Sequence, residues 1–151
     1  MEQHFSILKN TRDNVLGLIE GLDTAALNVI PAGFNNNLAW NLGHILVTQQ
    51  LLCYRLAGED CYISDPIIDA YRKGSKPNGP IDEALINTFK GQLLSLQEKI
   101  RTDYSQGRFK SYKPYQTSYG ANLNSVTEAI IFNNVHEGMH LGTMMAMKKL
   151  I

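Results

Sequence analysis

Two histidines near the C-terminal end of the chain have a spacing that places side chains on one face of a helix. His136 and His140 lie four residues apart in N-N-V-H-E-G-M-H, which puts them about 40° apart around a helix axis. Imidazole is a common ligand for divalent metal ions. The pair therefore predicts a metal site or, as the alternative, two structural imidazoles on a partly buried helix face.

A third histidine favours the metal site. His44 lies within the apolar segment A-W-N-L-G-H-I-L-V, where an imidazole without a hydrogen-bond partner would be costly. By itself His44 is typical of a hydrogen-bonded core histidine. A facing helix that already carries His136 and His140 favours instead a site with three nitrogen ligands and one open position. We therefore expect these three side chains to hold one divalent ion, with zinc or nickel best suited to imidazole ligands.

The segment H-E-G-M-H also matches H-E-x-x-H, the zinc metalloprotease motif in which the glutamate is the general base. The 11 residues after His140 contain no further His, Asp or Glu ligand, and no sheet is predicted that could hold an extended peptide. A protease is therefore the weaker alternative. Glu137 is our catalytic candidate, a proton acceptor at the rim of the site, and an exposed helix glutamate is the alternative interpretation.

The elements that must position these residues are four long amphipathic helices. Helical periodicity covers residues 2–21, 37–57, 82–100 and 125–149. An asparagine of residues 35–37, Asp82, and Ser125 with Glu128 in a capping box predict the starts of the last three helices. The connection 58–80 is rich in Gly and Pro, with a short helix at 66–72, and 102–124 is predicted to be loop or short extended structure. The pattern predicts an all-α bundle in one domain, residues 1–151.

Charge and hydropathy exclude several classes of partner. The chain has 14 basic and 14 acidic residues with no block of either sign, so we expect no nucleic-acid binding. No segment is apolar and long enough to span a membrane, and the N-terminal residues do not form a secretory signal. We therefore expect a cytoplasmic protein in which Cys53 and Cys61 are reduced thiols.

Several further side chains are candidates for the surroundings of the site. Helical phase places four polar residues near the ligand faces, namely Asn41, Thr48, Asn133 and Thr143. Trp40, one turn before His44, is predicted to be a core residue or a wall of the pocket. The tyrosines of the connection before the last helix are predicted either to cover the open side of the metal or to pack as ordinary loop residues: Tyr104, Tyr112, Tyr115 and Tyr119.

The motifs W-N-L-G-H, ending at His44, and H-E-G-M-H-L-G, beginning at His136, resemble those of the DinB-like superfamily, also described as YfiT-like metal-dependent hydrolases. The resemblance spans nearly the whole chain. It implies a four-helix bundle of up-down-down-up type, a metal bound by His44, His136 and His140, and a homodimer. Family members include thiol-dependent S-transferases and isomerases that act on small molecules.

Three function classes follow from these observations. The first is a metal-dependent enzyme acting on a small molecule, of hydrolase or thiol S-transferase type, with a low-molecular-weight thiol as a candidate substrate. The second is a metal-binding bundle without catalysis. The third is a helical interaction module whose histidines are structural. A bound ion would lower the pKa of a water or a thiol, which is the common first step of hydrolysis and thiol transfer.

Overall fold

The structure is a computed structural model that describes residues 1–151, most of which are helical. The elements in chain order are α1 (Glu2–Ile19), α2 (Thr24–Asn28), α3 (Leu38–Gln49), a π turn (Gln50–Tyr54), a 3-10 turn (Arg55–Ala57), α4 (Asp65–Tyr71), α5 (Glu83–Ser105), β1 (Tyr115–Gln116), β2 (Asn122–Leu123) and α6 (Val126–Lys148). The two strands pair antiparallel and are two residues long. The prediction of an all-α fold is confirmed.

The predicted helix starts are confirmed at the level of the capping side chains. The side-chain oxygens of Asn37, Asp82 and Ser125 each accept a hydrogen bond from the backbone amide three residues later, at 2.8, 2.7 and 3.2 Å. The capping box differs in one detail, because the Glu128 carboxylate accepts from the amide of Asn124 at 2.6 Å. These bonds satisfy amides that have no partner within the helix.

The second long helix is less regular than the sequence pattern predicts. After Gln49 it continues as the π turn and then as the 3-10 turn, and it ends at Gly58, which has a positive φ of 76°. A π turn changes the angular position of the residues that follow it. The phase of an ideal α-helix therefore does not place Arg55 correctly relative to His44.

The third long helix extends beyond its predicted end. Residues 101–105 are polar and were expected in the connection, but they form the last turn of α5. Asp103 explains the extension, because its buried carboxylate accepts hydrogen bonds from the hydroxyls of Tyr54 and Tyr62 at 3.0 and 2.9 Å. The short helix α2, capped by Asp23, was not predicted.

The four long helices pack around one interior, with α6 against α1 and α3, and α5 against the same two helices. Two hydrophobic clusters fill this interior. The larger cluster has 20 buried residues, among them Leu42, Ile45, Phe89 and Leu93, and the smaller one has 10, among them Leu52.

Each long helix contributes residues to both clusters, and buried polar residues lie between these two sets of residues along its sequence. These residues form a buried polar layer, and its members are Arg12 on α1, Gln49 on α3, Gln97 on α5, and Asn133 and Glu137 on α6. No helix of the chain combines the length and the apolar character needed to cross a membrane.

Candidate metal centre

The three predicted ligands meet where α3 packs against α6. Their rings lie 4.5 to 5.2 Å apart between centroids, and one nitrogen from each of His44, His136 and His140 lies within 4.8 Å of the others. A tetrahedral ion with bonds of 2.0 to 2.1 Å would separate its nitrogen ligands by about 3.4 Å. The prediction that these two helices are neighbours is confirmed, and small side-chain movements would bring the nitrogens to ligating distance.

Hydrogen bonds orient two of the rings so that the other nitrogen remains available. Nδ1 of His44 donates to the backbone carbonyl of Tyr71 at 2.7 Å, and Nδ1 of His140 donates to Oδ1 of Asn41 at 2.7 Å. The Asn41 amide nitrogen donates to the carbonyl of Asn37 at 2.7 Å, which leaves Oδ1 as the acceptor. Because both acceptors lack a proton, Nε2 of each imidazole carries the lone pair that a metal would take.

The third ring has an unsatisfied polar atom. Nδ1 of His136 is buried and has no hydrogen-bond partner within the chain. Eight buried side-chain atoms of the chain lack a partner, and this one alone belongs to the histidine cluster. Buried polar atoms normally have partners, so its place in the cluster points to a ligand that completes the site. Three imidazoles with at least one nitrogen in need of a partner fit a divalent cation. The donor set, which is nitrogen only, suits zinc or nickel better than magnesium or calcium.

The electrostatics of the cluster keep the ligands neutral. Burial lowers the pKa of His136 to about 3 and that of His140 to about 4, and the neighbouring imidazoles contribute to both shifts. Burial also lowers the pKa of His44, against an opposing effect of its hydrogen bond to Tyr71. Only neutral imidazole can bind a metal, so the rings are in the ligating state near pH 7.

The glycine of W-N-L-G-H has a steric role in this arrangement. A Cβ on Gly43 would lie 2.4 Å from Cδ1 of the Tyr71 ring, far inside van der Waals contact. Gly43 therefore allows Tyr71 to approach α3 closely enough for its carbonyl to hold His44. Trp40 stacks on the His44 ring with centroids 4.6 Å apart and planes 13° apart. It packs against this ring as a core residue and does not line the cavity.

A cavity of about 440 Å³ opens above the three histidines. Thr48 reaches it from α3, and its hydroxyl lies 3.4 Å from Nε2 of His44, which is longer than a strong hydrogen bond. The apolar part of the wall comes from Leu51, Leu52, Leu56, Phe132 and Met139. A volume of this size accommodates a small molecule.

The tyrosines of the predicted connection divide into two pairs. Tyr115 and Tyr119 line the cavity together with Thr117 and Ser118, so the segment around β1 forms one side of the cavity. Tyr104 and Tyr112 pack elsewhere, against the smaller hydrophobic cluster. Two of the four tyrosines therefore line the cavity, and their role as a cover for the metal stays a prediction.

Comparison with known proteins agrees with the geometry of the site. A family model described as the DinB superfamily matches residues 7–144, a range that includes all three histidines. The chain belongs to the DinB superfamily. No curated protein is significantly similar to the chain.

Glu137 is the residue of this DinB protein whose position differs most from the prediction. It is 0% exposed, so its interpretation as an exposed glutamate is wrong. Its carboxylate accepts from Nε and Nη2 of Arg12 at 3.0 and 2.7 Å and from the amide of Asn133 at 2.8 Å. The structure does not bring Glu137 to the cavity. The literal match to H-E-x-x-H therefore lacks the general base that a metalloprotease requires.

The remaining candidates near the ligands also have defined positions. Asn41 is the hydrogen-bond partner of His140, as its helical phase indicated, and Thr48 lines the cavity. Asn133 belongs to the buried polar layer, and the Thr143 hydroxyl donates to the carbonyl of Met139 within its own helix.

Sequence reasoning missed two cations of the cavity wall, Arg55 and Lys73. Arg55 was missed because it follows the π turn, which no local sequence pattern predicts. Lys73 was missed because it follows α4 in a connection that was expected to be a surface loop. No sequence signal pointed to Lys73, because the packing of Tyr71 against Gly43, which brings α4 to α3, is visible only in the structure.

Proposed function

We propose that this DinB-superfamily protein is a metal-dependent enzyme that acts on small molecules through one divalent ion, zinc or nickel, held by His44, His136 and His140. The observation that carries the proposal is the position of three neutral imidazoles at the floor of a cavity with an open side. A purely structural cluster would gain nothing from a cavity of this size above it.

The side chains around the ion favour thiol transfer over hydrolysis. When bound, the ion supplies a positive charge that lowers the pKa of a water or thiol beside it. No carboxylate and no further histidine lines the cavity, so no general base stands ready to take a proton from water. A thiol needs less help, because its ordinary pKa is about 8.5. Thiol S-transfer to a small electrophile is therefore our first candidate reaction, and hydrolysis is the second.

The state of the two cysteines is compatible with this reaction. Both cysteines are free, Cys53 buried and Cys61 partly buried, as is usual in a reducing compartment. We propose that the protein acts in the cytoplasm, where low-molecular-weight thiols are kept reduced.

The directions of the four long helices support a specific bundle topology. We propose a single-domain four-helix bundle of up-down-down-up topology, in which α1 and α6 run in one direction and α3 and α5 in the other. Parallel α1 and α6 are supported by the contacts of His4 with Asn134 and of Leu18 with Lys148. Antiparallel α3 and α6 are supported by the contacts of Asn41 with Met147 and of His44 with His136. Antiparallel α1 and α5 are supported by the contacts of Glu2 with Arg101 and of Arg12 with Leu93.

We also propose a homodimer formed through the outer face of α6. Every exposed residue of that helix between residues 131 and 146 is apolar or glycine: Ile131, Val135, Gly138, Met139, Gly142, Met145 and Ala146. The ends of this stripe carry opposite charges, Glu128 and Lys149, so two antiparallel copies would bring opposite charges together at both ends. Light scattering tests the dimer, with Val135→Asp expected to give a monomer. Leu94→Asp is the control, because Leu94 is exposed on α5, the long helix that packs on α1 and α3.

Metal analysis tests the function. Protein purified without a histidine tag should contain one zinc or nickel per chain, or take it up, and its melting temperature at pH 8 should rise with metal. His44→Ala should lose that rise, whereas His4→Ala, which is outside the three-histidine cluster, should keep it. Wild type that gains no stability from either metal would make the chain an interaction module. Metal binding without turnover of any thiol and electrophile pair would make it a non-catalytic metal protein.

A further inference from the structure

The charge of the cavity wall is of one sign. Two of its residues are cationic, Arg55 and Lys73, and none is acidic. Lys73 takes part in no ion pair of the chain. Arg55 donates through Nη2 to the exposed carboxylate of Asp65, which leaves other N–H groups of its guanidinium free to bind a second acceptor. Lys73 is therefore the uncompensated cation and Arg55 a partly neutralised donor beside it, and a wall with net positive charge attracts anions.

Arg55 lies farther along the second long helix than the histidine that this helix carries, and the wall between them is apolar. It is 11 positions after His44, about three turns along a helix that includes the π turn. A helical side chain leans toward the N-terminus of its helix, so the guanidinium can lean back toward the level of the ring. Leu51 and Leu52 occupy the stretch between these two residues and line the cavity.

Lys73 approaches the same cavity from α4. It follows Tyr71 by two residues, and the Tyr71 carbonyl holds the ring of His44. The lysine is exposed, which places it at the mouth of the cavity rather than in its floor. Its long side chain can reach the far end of a ligand that extends from the histidines along the apolar wall.

From this order of groups we propose that the substrate is an elongated anion: a group that binds the metal at one end, an apolar middle against the leucines, and a carboxylate or similar anion held by Lys73 and Arg55. The inference rests on the proposed function, because the metal-binding end needs the ion. It adds the chemical class of the substrate, which the histidines alone leave open.

Matched ligands test the proposal by binding rather than by turnover. The full-length protein is loaded with cobalt(II), and the thiolate-to-cobalt absorption band reports ligand binding at the metal. The two ligands are 6-mercaptohexanoate and 6-mercaptohexan-1-ol, which have the same length and the same thiol but differ in charge. We expect the acid to bind about 10-fold more tightly than the alcohol at low ionic strength, with the preference shrinking as salt is added.

Variants assign the preference to the two cations. Lys73→Met and Arg55→Met should each reduce the ratio of the two affinities, and together they should bring it close to 1, while the affinity for the alcohol stays the same. Lys76→Met is the matched control, because this lysine is exposed on the same connection and does not line the cavity. Equal binding of acid and alcohol to wild type, or a preference that survives in the double variant, would overturn the anionic subsite and leave the thiol proposal standing.

A second pair of ligands separates the two proposals if thiols fail. Hydroxamates bind metals without a thiol, so a six-carbon hydroxamate with and without a terminal carboxylate repeats the comparison by competition. A charge preference here that Lys73→Met removes would support the subsite even if no thiol binds, and the thiol chemistry would then be wrong. No charge preference with hydroxamates would overturn the subsite. Failure to bind cobalt at all would overturn the metal site and the subsite together.

Discussion

His136 and Glu137 are neighbours on α6, yet they face environments of opposite kind. His136 lines the cavity, has an Nδ1 without a partner, and has a pKa lowered to about 3 by burial and by the adjacent imidazoles. Glu137 is fully buried and accepts three hydrogen bonds from Arg12 and Asn133. One face of the helix leaves an imidazole nitrogen available to a ligand, and the other holds a carboxylate whose charge is paired within the core.

The difference shows how polar groups serve function and structure in the same helix. The Arg12 and Glu137 pair is complete without any further partner, so its expected role is to fix how α1 and α6 pack. The histidine cluster is incomplete in the chain alone, so its expected role depends on what binds there.

The largest effect is expected from breaking the buried ion pair. Arg12→Met should lower the free energy of unfolding by about 3 to 5 kcal/mol, because it leaves the Glu137 carboxylate buried without its cation. Urea unfolding followed by circular dichroism measures the change. The double variant Arg12→Met with Glu137→Leu should recover most of the loss, since no charge remains buried. A single variant within 1 kcal/mol of wild type would mean that the pair contributes little.

Removal of a ligand should affect the other side of the contrast. His136→Ala should weaken zinc binding by about 100-fold or more, above the 10- to 100-fold typical of outer-shell partners, and should leave the helical content unchanged. Competition with a chromophoric chelator measures the affinity. His4→Ala is the control and should bind zinc as wild type does. Unchanged affinity in His136→Ala would show that the three-histidine site is not the zinc site.

An intermediate effect is expected at Gly43, which belongs to the site through packing alone. Gly43→Ala should cost about 1 to 3 kcal/mol, because its Cβ would overlap the Tyr71 ring. Gly91→Ala on α5 is the matched control, since a Cβ there meets nothing within 4 Å, and it should be neutral or stabilising by up to about 1 kcal/mol. Thermal melting of both variants makes the comparison. Equal stability of the two would rule out the steric role of Gly43.

The smallest effect concerns protons. His136 and His140 have folded pKa values of about 3 and 4 against about 6.5 when unfolded. The unfolded chain therefore takes up protons below pH 6.5 that the folded chain refuses, so stability is complete above that pH and falls as the pH drops toward 4. Each group should contribute about 1 kcal/mol of this loss between pH 6.5 and pH 5.5.

Urea unfolding of metal-free protein across that range measures the slope, and His140→Gln should show a shallower one because it has one proton fewer to bind. Bound metal should raise the stability across this range without changing the part of the slope that comes from these two groups, because their folded imidazoles are already neutral there. An identical slope for wild type and variant would show that His140 is not held neutral by the fold.

The sequence was most informative where structure depends on near neighbours. The caps at Asn37, Asp82 and Ser125 could be predicted because each bonds to an amide three residues away. The pairing of His136 with His140 follows from helix geometry alone. Inclusion of His44 depended on its apolar surroundings and on the motif that ends with it.

Predictions failed where a distant partner decides the outcome. Helical phase gave the direction of Glu137 around α6, but only Arg12, 125 positions earlier in the chain, makes a buried carboxylate possible there. The extra turn of α5 depends in the same way on the hydroxyls that reach Asp103 from elsewhere.

For this protein the sequence by itself determined an all-α fold, the starts of its main helices and the three residues able to bind a metal, because periodicity, capping and ligand chemistry act over a few residues. Only the tertiary structure decided the rest. The packing of α1 on α6 pairs Arg12 with Glu137. The packing of α4 on α3 at Gly43 brings the Tyr71 carbonyl to His44. Arg55 and Lys73 line the cavity above the histidines. The physical reason is that burial and cavity shape are properties of packed helices, and no single helix carries them.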